Sequence, residues 1–239
     1  SGPLINTPPP ATMIPSYQDF EKLTMRSDQK RTRQKRGSVF AIAKNAKSIA
    51  TEMRPWINNG YDVIVLIPSC ALMIKFEWPL ILPDNPLIAE LAIATFDITE
   101  YIVDISKKDG LTSGLSPIQG GIAMHIACHA RAQNMGAKAA EMLRLIPETD
   151  VSVIDRCSGH GGSWGIKKKN FETAIRIGRP AMRKALSTEK KHIVSECPLA
   201  GMHLDQGMQM LLKEKIPSYQ VSAHPIVLFA QAYGFHEFM

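Results

Sequence analysis

Cysteine is scarce in this chain, with four among 239 residues. Four thiols over that length do not make a disulfide scaffold. Their placement favours thiolate chemistry in a reducing compartment, cytoplasmic or an organellar matrix, with two structural disulfides as the alternative. No Cys-x-x-Cys pair occurs, and the gaps between Cys128, Cys157 and Cys197 are far too long for a zinc finger. No apolar run reaches bilayer length, so attachment to a membrane is expected to be peripheral at most. A secretory leader with an apolar centre is not expected at Ser1. Gly-x-Gly-x-x-Gly is missing after the first expected strand, which removes the dinucleotide fingerprint. The net charge of +6 is moderate. It suits an acidic partner, an anionic surface or nucleic acid and selects none of them.

Acidic residues are nearly missing from the first part of the chain. Ser1 to Pro15 carries no charge and is rich in proline, and Lys22 to Arg36 holds seven Lys and Arg against Asp28, with Glu21 just before it. Residues 1–37 therefore read as an extended or disordered basic arm. Docking onto an acidic subunit or RNA, or the remains of a targeting sequence, are the sharper readings, so nucleic acid stays open as a partner of the arm.

From Ser38 the pattern changes. Val39, Ile42, Ala43, Ala46, Ile49, Ala50 and Met53 lie at helical spacing, and Pro55 with Asn58-Asn59-Gly60 should end that helix. A strand is expected over 61–67 and a short helix over 71–78. A helical segment follows over 87–108, broken at Thr95–Asp97. The second half alternates more regularly: strands over 121–127, 150–154 and 191–195, and helices running to about Arg144, over 170–186, over 204–213 and at 225–233. This alternation predicts right-handed βαβ units and a parallel sheet, an α/β fold over 38–239 in two sub-halves of about 38–115 and 116–239.

Each cysteine follows an apolar run. Cys70 comes after Val63-Ile-Val-Leu-Ile67, Cys128 after Ile122-Ala-Met-His-Ile126, Cys157 after Val151-Ser-Val-Ile154 and Cys197 after His192-Ile-Val-Ser195. In a parallel sheet these ends share the side on which such folds bind ligands. One cysteine alone reads as a small buried hydrophobe; several at equivalent strand ends read as ligands for a soft, redox-active centre. The loop after Cys157 carries Gly159, Gly161, Gly162 and Gly165, letting backbone approach such a group closely. His129 and His160 flank two of the cysteines as ligands or proton donors. Arg131 and Arg156 would neutralise a cluster or a carboxylate, with surface ion pairs as the plainer reading. His203 is a weaker candidate, and His125, inside a strand, reads as a satisfied core histidine.

Cys128-His-Ala-Arg-Ala-Gln133, Cys157-Ser-Gly-His-Gly-Gly162 and Cys197-Pro-Leu-Ala200 resemble the cysteine-rich domain family named for its Cys-Cys-Gly motif. That domain occurs in heterodisulfide reductase B-type subunits and in the C subunit of anaerobic glycerol-3-phosphate dehydrogenase, and the second kind is the nearer. The resemblance covers about Ser38 to Gly234. It implies iron–sulfur clusters that pass electrons between a flavin or ferredoxin partner and a quinone or disulfide, within a multi-subunit complex. Ser158 replaces the second cysteine of Cys-Cys-Gly, and Ala200 replaces the second of Cys-x-x-Cys. In the first repeat only Cys70 remains, with Met73 at its partner position and Gln34-Lys-Arg-Gly37 where a Cys-Cys-Gly would stand. The chain thus resembles the C-terminal portion of a longer family member, and a partner supplying the missing N-terminal half is implied.

Two functions follow as expectations. The first is an electron-transfer or oxidoreductase subunit binding an iron–sulfur or related metal centre through Cys128, Cys157 and Cys197, completed by Cys70 or a histidine. The second is a degenerate, cluster-free structural subunit of a larger assembly. A hydrolase using Cys128 and a histidine lacks a third group to orient the base.

Overall fold

The order of elements follows from where apolar β-branched runs give way to helical spacing. The structure, a computed structural model, describes residues 39–213 and 216–235. The basic arm lies outside the described residues. Two compact units divide the chain. One comprises residues 39–64 and Glu77–Thr95; the other comprises Val65–Phe76 and the described residues from Phe96 onward.

In the first unit, helix α1 (Val39–Asn58) passes through Pro55 and ends at Asn58, where Asn58-Asn59-Gly60 was expected to close it. The helix closes at Gly60, whose φ of +83° is the left-handed turn that glycine takes without strain. Gly60 N–H donates to the Ile57 carbonyl at 2.9 Å. Ala46 and Ala50 are buried, and α1 packs on α3 (Trp78–Ile81) and α4 (Pro86–Ile93). Asn85 caps α4, accepting from Leu87 and Ile88 N–H.

β1 (Val63–Val65) is shorter than expected and pairs with β2 (Thr95–Asp97) in a two-stranded sheet. The expected break at Thr95–Asp97 is therefore a strand. Helix α2 (Pro68–Leu72) begins three residues earlier than expected, because Pro68 is preset for a first helical turn. A π-turn, Met73–Glu77, follows it.

In the second unit, α5 (Ile98–Lys108) starts with a capping box made by Asp97 and Glu100. Four parallel strands then form one sheet in the order β4-β3-β5-β6: β3 (Ile122–His125), β4 (Val151–Ile154), β5 (His192–Ser195) and β6 (Gln220–Ser222). No strand was expected where β6 forms. The single helix expected to run to about Arg144 is two, α6 (Cys128–Ala132) and α7 (Lys138–Leu143), divided where Asn134 and Gly136 take positive φ. Helix α8 (Phe171–Ser187) starts one residue later than expected, after Lys167–Lys169. Helix α9 (Pro198–Leu212) begins six residues earlier than expected, and α10 (Pro225–Ala232) closes the unit.

Both faces of the sheet are covered. Ile122, Met124, Val151 and Val194 join Met142 and Leu143 of α7 and Leu228 and Phe229 of α10 in one core. Ala123, Ile154 and Ile193 join Ile175, Met182 and Ala185 of α8 and Leu204 and Met208 of α9 in the other. Alternate residues of one strand thus feed opposite cores. Burying each of these larger side chains contributes about 1.5–3 kcal/mol. The architecture is α/β with parallel strands, as the alternation of elements implied.

Candidate functional site

The site is built by strand register. His125 of β3 pairs with Ile154 of β4 on one side and with Ser195 of β5 on the other. Cys128 and Cys157 lie three residues beyond those positions and Cys197 two residues beyond, so the three thiols follow the C-terminal ends of three neighbouring strands. Cys128 opens α6 and is exposed. Cys157 is exposed in the loop after β4, where Gly159 N–H donates to its Sγ at 3.4 Å. Cys197 is half-buried at the N-cap of α9 and packs on Ile126, Ala127 and Ala130. Cys70 stands apart from this sheet, half-buried in α2, which packs on α6. Burial pushes the Cys70 thiol up, partly offset by the Ser69 side chain. All four cysteines are free.

The glycine loop crosses between these ends. His160 Nε2 lies 4.0 Å from Cys197 Sγ, and His160 Nδ1 lies 3.1 Å from Ser158 Oγ. With the hydroxyl donating to Nδ1, Nε2–H points at the sulfur; with the roles reversed, Nε2 offers a lone pair. Burial, then the neighbouring His203 and His129, hold His160 below its ordinary pKa, so the ring is neutral near pH 7. His203 is buried at 2% exposure, edge-on to Phe171 at 5.9 Å. The Ala174 carbonyl partly offsets burial at that ring, yet neither ring nitrogen has a partner at hydrogen-bond geometry.

The glycines divide in purpose. A Cβ on Gly159 would lie 2.2 Å from the Ala174 carbonyl oxygen and 2.6 Å from Gly178 N, so Gly159 lets the loop touch α8. Gly161 and Gly162 have positive φ, and a Cβ on Gly162 would meet nothing within 4 Å. Arg131 is engaged with the Asp155 carboxylate at 2.5 Å, the plainer of its two readings. Arg156 is exposed, and its backbone carbonyl takes part in the site. His129 is exposed beside Cys128.

Several residues beneath the cysteines carry little signal in the sequence. Glu196, 1% exposed, accepts from Ala127 N–H at 3.0 Å. Burial, with Asp97 nearby, pushes its carboxyl up to about 8 against the Ala127 bond. Burial also raises Asp97, although Thr99 and Gln133 donate to its carboxylate. Gln133 Nε2 further donates to the Pro68 carbonyl at 3.3 Å. Their one legible mark was position, with Glu196 directly before Cys197.

The donor chemistry suits a soft metal centre of at most four protein ligands: three thiols at adjacent strand ends and a neutral imidazole. Ser158 and Ala200, both buried, bring no thiol to it. Among the described residues no three His, Cys, Asp or Glu side chains are gathered around a single point as they stand.

Residues 122–205 match the family model of the cysteine-rich domain, CCG, and this stretch is a cysteine-rich domain of that family. The chain is 26% identical over 177 residues to the C subunit of anaerobic glycerol-3-phosphate dehydrogenase from Escherichia coli K12, covering 73% of this chain and 41% of that protein. It is 30% identical over 179 residues to the D subunit of the dihydromethanophenazine:CoB–CoM heterodisulfide reductase from Methanosarcina acetivorans, covering 72% and 41%. Lactate utilization protein A of Lysinibacillus sphaericus is 31% identical over 138 residues, covering 54% of this chain and 58% of that protein. The chain spans about two fifths of the length of the first two relatives. By name, the first two relatives are subunits of a dehydrogenase and of a reductase, and an uncharacterized iron–sulfur protein of Methanococcus maripaludis is 24% identical over 160 residues, covering 65% of this chain and 29% of that protein. Among the described residues no helix is long and apolar enough to cross a membrane.

Proposed function

We propose that this chain is an electron-transfer subunit of an oxidoreductase complex, whose cysteine-rich domain holds an iron–sulfur or related soft-metal centre through Cys128, Cys157 and Cys197. The observation that carries the reading is the shared placement of these thiols after β3, β4 and β5, three neighbouring parallel strands. His160, 4.0 Å from Cys197, is the side chain that would complete the set, with Cys70 and His129 as the other candidates. The bound centre would supply one-electron chemistry. The chain's own part is to hold the thiols, to keep His160 neutral and to present backbone N–H groups of the loop at Gly161 and Gly162. Arg156 would offset the negative charge of a thiolate centre, Arg131 being held by Asp155. Partners would be protein subunits carrying the rest of the electron path, including a flavin or quinone site and a counterpart of the part of the longer relatives that the match does not reach.

A cluster-free structural subunit is the second reading. It is favoured by Ser158, which is buried and given over to His160, and by Ala200, buried in α9. Iron and acid-labile sulfide analysis of the protein purified without oxygen separates the two. Near-stoichiometric iron and sulfide supports the redox reading; a metal-free, colourless protein in its native assembly overturns it.

A further inference from the structure

Beneath the cysteine face runs one chain of hydrogen bonds, centred on a buried ring, that links β3 to the end of β5 and to the turn after β4. His125 of β3 is 1% exposed, and its two ring nitrogens look opposite ways. Nε2 lies 2.9 Å from the Arg156 carbonyl, directly before Cys157, and Nδ1 lies 2.9 Å from Ser195 Oγ on β5. A carbonyl oxygen only accepts, so the ring proton sits on Nε2 and Nδ1 accepts from the Ser195 hydroxyl. The Ser195 oxygen in turn accepts from Cys197 N–H at 3.3 Å. The order is fixed from end to end: Cys197 N–H to Ser195 O–H to His125, and His125 N–H to the carbonyl before Cys157.

We infer that His125 is a positioning residue that sets Cys157 and Cys197 relative to each other, with Ser195 as its relay. A core histidine needed only for packing would not require one partner at the end of β5 and another in the turn after β4, each within two residues of a cysteine. No other arrangement of this neutral ring satisfies both contacts, because the Arg156 carbonyl cannot donate. The chain also explains why polar Ser195, directly after apolar Ile193 and Val194, is 1% exposed. The inference rests on the reading that Cys157 and Cys197 act together, but it concerns the fastening of their turns and not the group they hold.

The test is amide hydrogen exchange on the full, reduced, metal-free chain, so a colourless wild type leaves it intact. His125→Phe keeps a ring and removes both arms. Exchange should then rise about tenfold in the 156–162 loop and at the Cys197 amide, the scale of one lost hydrogen bond, while α8 stays protected. His125→Gln can still donate to the Arg156 carbonyl and should return the loop to within about twofold of wild type, a rescue that general loosening would not give. Ser195→Ala should release the Cys197 amide and spare the loop. This smaller deletion carries the test alone should His125→Phe fail to fold. Unchanged exchange at Cys197 in Ser195→Ala, or His125→Gln behaving as His125→Phe in the loop, overturns the assignment.

Discussion

His160 Nε2 stands 4.0 Å from Cys197 Sγ, although the two residues follow strands that lie on opposite sides of β3. The contact exists because Gly159 lets the loop press on α8 and Ser158 holds the far side of the imidazole. The residue at the second position of the Cys-Cys-Gly motif thus contributes a hydroxyl that orients a histidine, in place of a thiol.

The protonation of that histidine is open to measurement. Burial and two nearby histidines disfavour its charge, so His160 should titrate below 6.5 when followed by NMR in the full chain. His203→Phe keeps the aromatic contact with Phe171 and removes one like charge, so it should move the midpoint of His160 upward. A midpoint at or above 6.5 in the wild type would refute this description of the pocket.

The loop's attachment to α8 predicts a contrast between two glycines. Gly159→Ala forces a methyl against the Ala174 carbonyl and Gly178 N and should cost several kcal/mol, about 3 or more. Gly162→Ala meets open space and bears only the cost of its positive φ, about 1 kcal/mol. Denaturant midpoints of the two variants give the comparison. Equal losses would mean that the loop is not pressed on the helix.

Glu196 makes stability depend on pH in a stated direction. Its carboxyl rises from about 4.5 to about 8 on folding, so the neutral form is favoured in the folded protein. Its contribution is complete below pH 4.5 and is lost as pH rises to about 8, at up to roughly 1.4 kcal/mol per pH unit. Glu196→Gln keeps an acceptor for Ala127 N–H and cannot ionise. It should match wild type near pH 5 and exceed it above pH 8 in thermal or denaturant melts. A difference that does not change with pH would show that the group ionises freely in the folded state.

Much of the fold was legible because β3, β4 and β5 are short, largely apolar runs each followed within three residues by a cysteine, and because residues 122–126 are apolar enough for a strand buried on both faces. The first helix ends at Asn58, where Asn58-Asn59-Gly60 marks its stop, although Pro55 lies inside it, since a proline in the last turns of a long helix removes one N–H and need not end it by itself. The helix after β5 starts at Pro198, six residues before its apolar spacing becomes legible, because proline suits a first helical position. β6 is too short and too exposed to show a period. At the site, cysteines and glycines announced themselves by residue type. His125, Ser195 and Glu196 did not, because their meaning lies in partners 31 to 70 residues away along the chain.

The central claim is that the thiols after β3, β4 and β5 serve one centre. The measurement that tests it most directly is the visible absorption of the protein purified without oxygen, as wild type and as Cys157→Ser. The predicted result is a coloured wild type, with thiolate-to-metal absorption that Cys157→Ser abolishes, while the far-ultraviolet circular dichroism of the exposed-site variant stays that of the wild type. A colourless wild type, or a colour that survives loss of the Cys157 sulfur, would contradict it.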